Sequence, residues 1–117
     1  MNEAVGTETG WTVVVQLTAL PAWLAISRDR RREIGARCLA AAGERPSVRL
    51  RWVDVEAFTG ACSDVLIVET PDPRAWYHVF EALRDTELFT VPYFRLEQIL
   101  AGIDDGYLDY EAAHHGG

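Results

Sequence analysis

The stretch Asp64-Val-Leu-Ile-Val-Glu-Thr70 places four apolar residues at successive positions, three of them β-branched. Branching at Cβ favours extended backbone, and successive side chains of a strand point to opposite faces of its sheet. A strand apolar on both faces must therefore lie inside a sheet that is covered on both sides. Trp11-Thr-Val-Val-Val-Gln-Leu-Thr18 makes a weaker form of the same demand, with Trp11, Val13, Val15 and Leu17 on one face and Val14 on the other. A chain of 117 residues has room for one core only. These two segments are therefore predicted to be the central strands of a single layered domain.

The remaining elements fall into place around that pair. Ser27 is an N-cap for a helix running to about Ala42, with Ile34, Cys38, Leu39 and Ala42 as its inward stripe, Gly43 as C-cap and Pro46 preventing continuation. Asp72-Pro73 starts a second helix to about Asp85, with Trp76, Val79, Phe80 and Leu83 at helical spacing. Ser47–Phe58 alternates as an edge strand, Val48, Leu50 and Trp52 on one side and Arg49, Arg51 and Val53 on the other, and Tyr93–Leu100 reads as the fourth strand. The order β-α-β-β-α-β predicts an α+β, ferredoxin-like βαββαβ sandwich: a four-stranded antiparallel sheet with two helices on one face. The face that the helices leave bare needs cover. A second copy of the sheet is the simplest, so a homodimer forming a dimeric α+β barrel is expected. Residues 1–10 are expected to be a disordered segment, 11–111 the single domain, and 112–117 a flexible tail containing His114 and His115.

Charge and cysteine content narrow the function. Eighteen acids stand against eleven bases, every base is arginine, and the formal net charge is −7. Such a surface repels phosphate backbones, so no nucleic-acid partner is expected. The basic cluster Arg28, Arg30, Arg31 and Arg32 reads as the solvated start of a helix. No run of about 18 apolar residues is present, so no membrane span is expected. The polar first ten residues lack a secretory pattern, which points to the cytoplasm. Cys38 and Cys62 lack metal-ligand spacing and are expected to be reduced, structural thiols. No glycine-rich phosphate loop, nucleophile elbow or zinc-helix motif occurs, and without lysine no Schiff base can form. No cofactor and no metal are expected.

The polar residues that could carry chemistry cluster on the second strand. Trp52, Asp54, Glu56 and Phe58 share a face with Leu50 by the period-two rule. If Leu50 and Trp52 face the helices, Asp54 and Glu56 enter the same layer at its open end. A carboxylate beside aromatic rings loses solvation and becomes a better general base; if the edge strand bends away instead, both are wet. Tyr77 sits at the flank of its helix stripe, either in the core or at the mouth of a helix–sheet cleft with its hydroxyl free. His78 is turned to the exposed side. Trp23, Trp52, Trp76, Phe89 and Tyr93 form a large aromatic set, serving as core or as the lining of a pocket for a flat ligand. Arg95 either binds a carboxylate or enolate, or pairs with Glu97 across water.

Several segments resemble the darcynin family: Pro21-Ala22-Trp23-Leu24, Leu50–Phe58, Ser63-Asp64-Val65, Glu81–Asp85, Val91-Pro92-Tyr93-Phe94 and Gly102–Tyr107, spanning roughly Trp11 to Glu111. The resemblance implies a small bacterial protein and brings no catalytic residues. The fold itself is similar to that of small antibiotic-biosynthesis monooxygenases and polyketide cyclases, an analogy of architecture. Two functions follow. The leading one is a cofactor-free acid–base enzyme, a cyclase, isomerase or oxygenase acting on an aromatic or polyketide-like metabolite of a biosynthetic pathway. In it Asp54 or Glu56 takes the proton, Tyr77 or Arg95 steadies the oxyanion, and Trp23, Trp52 and Tyr93 hold the ring. The alternative is a non-catalytic ligand-binding or interaction module on the same dimeric scaffold. A pocket with converging acids favours the first, and acids turned to solvent favour the second.

Overall fold

In a computed structural model the described residues are 10–43 and 45–115; apart from Gly10, the expected N-terminal segment lies outside them, as do residues 116 and 117. The elements in chain order are β1 (Trp11–Ala19), α1 (Pro21–Leu24), α2 (Arg28–Ala42), β2 (Arg49–Asp54), β3 (Asp64–Thr70), α3 (Pro73–Arg84), α4 (Glu87–Thr90), β4 (Phe94–Ile103) and α5 (Gly106–His115). The four strands form one antiparallel sheet in the order β2-β3-β1-β4, the ferredoxin-like arrangement, with the two strands predicted to be central at its centre.

Start and stop chemistry sets the two long helices. The Ser27 hydroxyl accepts from Arg30 N–H at 3.1 Å and the Asp72 carboxylate from Arg74 N–H at 3.0 Å, each satisfying one of the first amides that a helix leaves open. Ile34, Cys38 and Ala42 of α2 and Ala75, Val79 and Leu83 of α3 are buried against Val13, Val15 and Leu17 of β1 and Leu66 and Val68 of β3. Val79 and Leu83 of the expected stripe are buried, and Ala75 joins them where Trp76 was expected. Trp76 and Phe80 lie at the flank of the buried residues, stacked at 4.8 Å, while the Arg84 guanidinium sits over Phe80 and Phe89 at 5.7 and 5.3 Å. The small Ala75 lets α3 approach the sheet, and the large rings go to the side where they fit.

Other boundaries also differ from expectation. β2 ends at Asp54, not Phe58. Val55 N–H still donates to Ser63 O at 3.0 Å, and then the Asp54 carboxylate accepts from Glu56 N–H at 3.2 Å, turning the chain out of the ladder. β4 begins one residue later than expected and runs three further, paired with β1 through a bulge opposite Gln16/Leu17. α4 was not expected; its Leu88 is buried and its Glu87 is ion-paired with Arg37 of α2. The chain leaves β4 through Asp105, in the left-handed region at φ 49°, which aspartate tolerates better than most residues. It then forms α5 out to His115, past the expected start of the tail. Among the described residues no helix is long and apolar enough to cross a membrane.

The buried core cluster lies on the helix side of the sheet. Thr12, Val14, Gln16 and Thr18 of β1 and Val65 and Ile67 of β3 point the other way and are half-buried, shielded only by their neighbours in the sheet.

Candidate functional site

Phe94 is 3% exposed and forms the floor of an aromatic fan at the end of the sheet where β1 leads into α1. Trp23 of α1 packs on it with ring centroids 5.0 Å apart, Trp52 of β2 meets it edge-on at 5.3 Å, and Tyr93 lies 5.2 Å from Trp23 on the outer side. Pro21 starts the single turn that carries Trp23 over the sheet edge. Between Trp23, Trp52, Phe94 and the flank of α2 lies a cavity of about 300 Å³, also lined by Arg31, Gly35, Leu39 and Leu88. Its walls are almost wholly apolar.

Polar groups behind the walls hold the rings in place. Trp52 Nε1–H donates to Asp64 Oδ1 at 2.9 Å, Ser63 Oγ–H donates to Asp64 Oδ2 at 2.7 Å, and Ser63 Oγ accepts from Ala19 N–H at 2.7 Å. The indole is therefore anchored through two side chains to the last residue of β1, and Asp64 is occupied as an acceptor. At the mouth, Arg31 donates through Nε to Ile26 O at 3.1 Å and through Nη2 to Leu24 O at 2.9 Å. Those carbonyls, at the end of α1 and in the turn after it, would otherwise lack partners. Arg31 makes no ion pair among the described residues, whereas Arg30 pairs with Glu33 and Arg32 with Asp29.

Of the expected site residues, Trp23 and Trp52 converge on this cavity and Tyr93 stacks behind Trp23. The polar candidates do not converge. Asp54, the last residue of β2, and Glu56 just after it are exposed, and Phe58 is 90% exposed, so neither carboxylate enters the layer and the burial expected for them is not found. Tyr77 is 59% exposed, edge-on to His78 on the outer side of α3, and does not line the cavity. Arg95 takes the second of its two readings, donating through Nε and Nη2 to Glu97 at 3.0 and 2.9 Å on the helix-free side. The Thr18 hydroxyl first, then Arg95, hold Glu97 below the usual carboxylate range. Among the described residues no His, Cys, Asp and Glu group could hold a metal ion, and Cys38 and Cys62 are buried free thiols.

Sequence reasoning missed Arg31, Gly35, Leu39, Asp64 and Phe94. The i, i+4, i+8 spacing of Arg31, Gly35 and Leu39 was a legible signal; nothing in the sequence linked Asp64 to Trp52.

Comparison with known proteins supplies the context. A family model described as darcynin, a domain of unknown function, matches residues 3–114. A darcynin of Acinetobacter baumannii is 43% identical over 90 residues, covering 76% of this chain and all of that protein. A darcynin of Chromobacterium violaceum is 48% identical over 67 residues, covering 57% of this chain and 85% of that one. Among solved structures, the chlorite dismutase from Candidatus Nitrospira defluvii in complex with imidazole superimposes with a TM-score of 0.69 over 84% of this chain at 15% identity. The match spans only 41% of that longer chain, so the likeness is one of fold.

Proposed function

The chain belongs to the darcynin family, and from that premise we propose that it is a ligand-binding protein whose cleft between α1, α2 and the sheet takes a flat aromatic or polyketide-like molecule. The observation that carries this reading is the apolar cavity of about 300 Å³ walled by Trp23, Trp52 and Phe94. That volume lies at the lower end of small-molecule pockets, and aromatic walls favour a planar guest through stacking and edge contacts. Binding is favoured over proton-transfer catalysis because Asp54, Glu56 and Tyr77 stand outside the cleft. The working form in this reading is a homodimer joined through the helix-free sheet faces. An apolar strip of Val14, Val65, Ile67 and Leu100 flanked by Arg49, Arg51 and Glu69 supports it. A cytoplasmic setting agrees with two unpaired buried thiols.

The test is a nuclear magnetic resonance titration with bicyclic and tricyclic aromatics. The Trp23 and Trp52 indole N–H signals should shift on binding, Trp52→Ala should weaken binding about tenfold or more, and the pair Asp54→Asn with Glu56→Gln should leave it unchanged. Shifts confined to other tryptophans, or binding lost in the carboxylate pair, would sink the reading.

A further inference from the structure

Gly35 lies well inside α2, where glycine is the least favourable residue after proline. Interior glycines are usually explained by a neighbour that presses on the backbone. Gly43 at the C-cap has that reason, because a Cβ there would meet Leu39 O at 2.9 Å and Leu50 Cδ1 at 3.5 Å. Gly35 has none. Nothing lies within 4 Å of where its Cβ would stand, and Gly35 itself lines the aromatic cavity.

The residues around it give that gap a shape. Arg31, Gly35 and Leu39 form one row along the helix, next to the buried stripe of Ile34, Cys38 and Ala42. Two long side chains thus flank a stretch of bare backbone, and Trp23, Phe94 and Trp52 line the same space. At one end of the row, Arg31 is fixed by two main-chain carbonyls and makes no ion pair among the described residues, whereas Arg32, which lines the cavity beside it, is paired with Asp29. A cation held rigid at the rim of an apolar pocket is arranged for an anionic group on the guest.

We propose that Gly35 is the specificity-determining residue of this cleft and that the ligand class is a flat aromatic carboxylic acid. Its ring lies against the bare α2 backbone at Gly35, between that backbone and the tryptophans, and its carboxylate meets Arg31. The inference rests on the ligand-binding reading and adds the feature that selects the guest.

The test uses 2-naphthoate and its neutral counterpart 2-naphthalenemethanol, titrated calorimetrically into the full chain and into Gly35→Ala and Gly35→Leu. The native chain should bind the acid about tenfold more tightly than the alcohol. Gly35→Ala should weaken naphthoate about tenfold while raising Tm by a few degrees, since alanine is the better helix former. Gly35→Leu should abolish binding. A gain in Tm with a loss of binding separates a role in the pocket from one in the fold, where alanine would lower both. Naphthoate binding to Gly35→Ala within about twofold of native, or equal binding of acid and alcohol, overturns the inference while leaving the cleft a binding site. If the native chain binds neither probe nor any larger aromatic acid, the ligand-binding reading fails and the inference falls with it.

Discussion

The two faces of the sheet are made by the same strands and differ by one step in register. On the helix side Leu66 is fully buried, in a core with Val15, Leu17, Val79 and Leu83. One residue on, Ile67 faces the bare side with Val14 and Val65 and is only half-buried. The chemistry of Leu66 and Ile67 is nearly the same, so their difference in burial comes from what packs over each face. The helix side is closed except for the cavity by Trp23 and Trp52; the bare side is apolar in its middle strip and charged along its flanks. In the dimer proposed above, a partner surface would cover these residues and complete the closure of the fold.

The comparison can be broken most sharply by truncating its two sides in turn. Leu66→Ala should destabilise the chain by about 2–5 kcal/mol, as a large-to-small change in a packed core does. Ile67→Ala should cost under about 1 kcal/mol at high dilution, where no partner covers it, and more as protein concentration rises. Equal costs at every concentration, by chemical denaturation, would remove the distinction between the faces.

A charge on the bare side sharpens the same contrast. Val14→Arg would place an unpaired guanidinium at the centre of the strip, and burying such a group is costly. In sedimentation the native chain should run as a dimer of 13.1 kDa subunits, and the variant should dissociate about a hundredfold more readily, roughly 2.7 kcal/mol, with its fold kept. A native chain that sediments as a monomer at every concentration removes the dimer and leaves the cleft as the whole site.

The smallest effect concerns how the helix side is tied together. The Arg37 guanidinium, by hydrogen bond and charge, holds Glu87 below the usual carboxylate range, and this pair links α2 to α4, whose Leu88 lines the cavity. Because the folded-state pKa is lowered, the pair stabilises the fold above the ordinary carboxylate pKa, and its contribution disappears as pH falls through the lowered value. Glu87→Gln should therefore have a slightly lower Tm than the native chain at neutral pH and an equal one in acid. Arg37 is exposed and Glu87 partly so, and the difference should therefore be modest and should shrink with added salt.

Periodicity and caps made most of the fold legible. Ser27, Asp72-Pro73 and Gly43 bound their helices as read, β3 runs over the expected residues, and the doubly apolar strands are central. What failed were elements governed by competition between side chains and backbone. Period-two alternation carried β2 on to Phe58, but the Asp54 carboxylate takes a main-chain amide and ends the strand. In α3 the apolar spacing placed Val79 and Leu83 correctly in the core, but closeness to the sheet buries the small Ala75 and leaves Trp76 and Phe80 only partly buried. That Trp23, Trp52 and Tyr93 would lie together was legible because large rings have few places to go in a small domain. The acid half was not, since its position depended on where one strand stops.

Local interactions encoded in neighbouring residues, namely branching, capping and hydrophobic period, determined from the sequence alone that this chain forms a four-stranded sheet with helices on one side. Only the tertiary structure decided that Trp23, Trp52 and Phe94 enclose a space, that Asp64 holds the Trp52 indole, and that Gly35 opens onto the gap. Each of those facts joins residues far apart in the chain. Their separation is set by how whole elements pack, and no local preference carries that information.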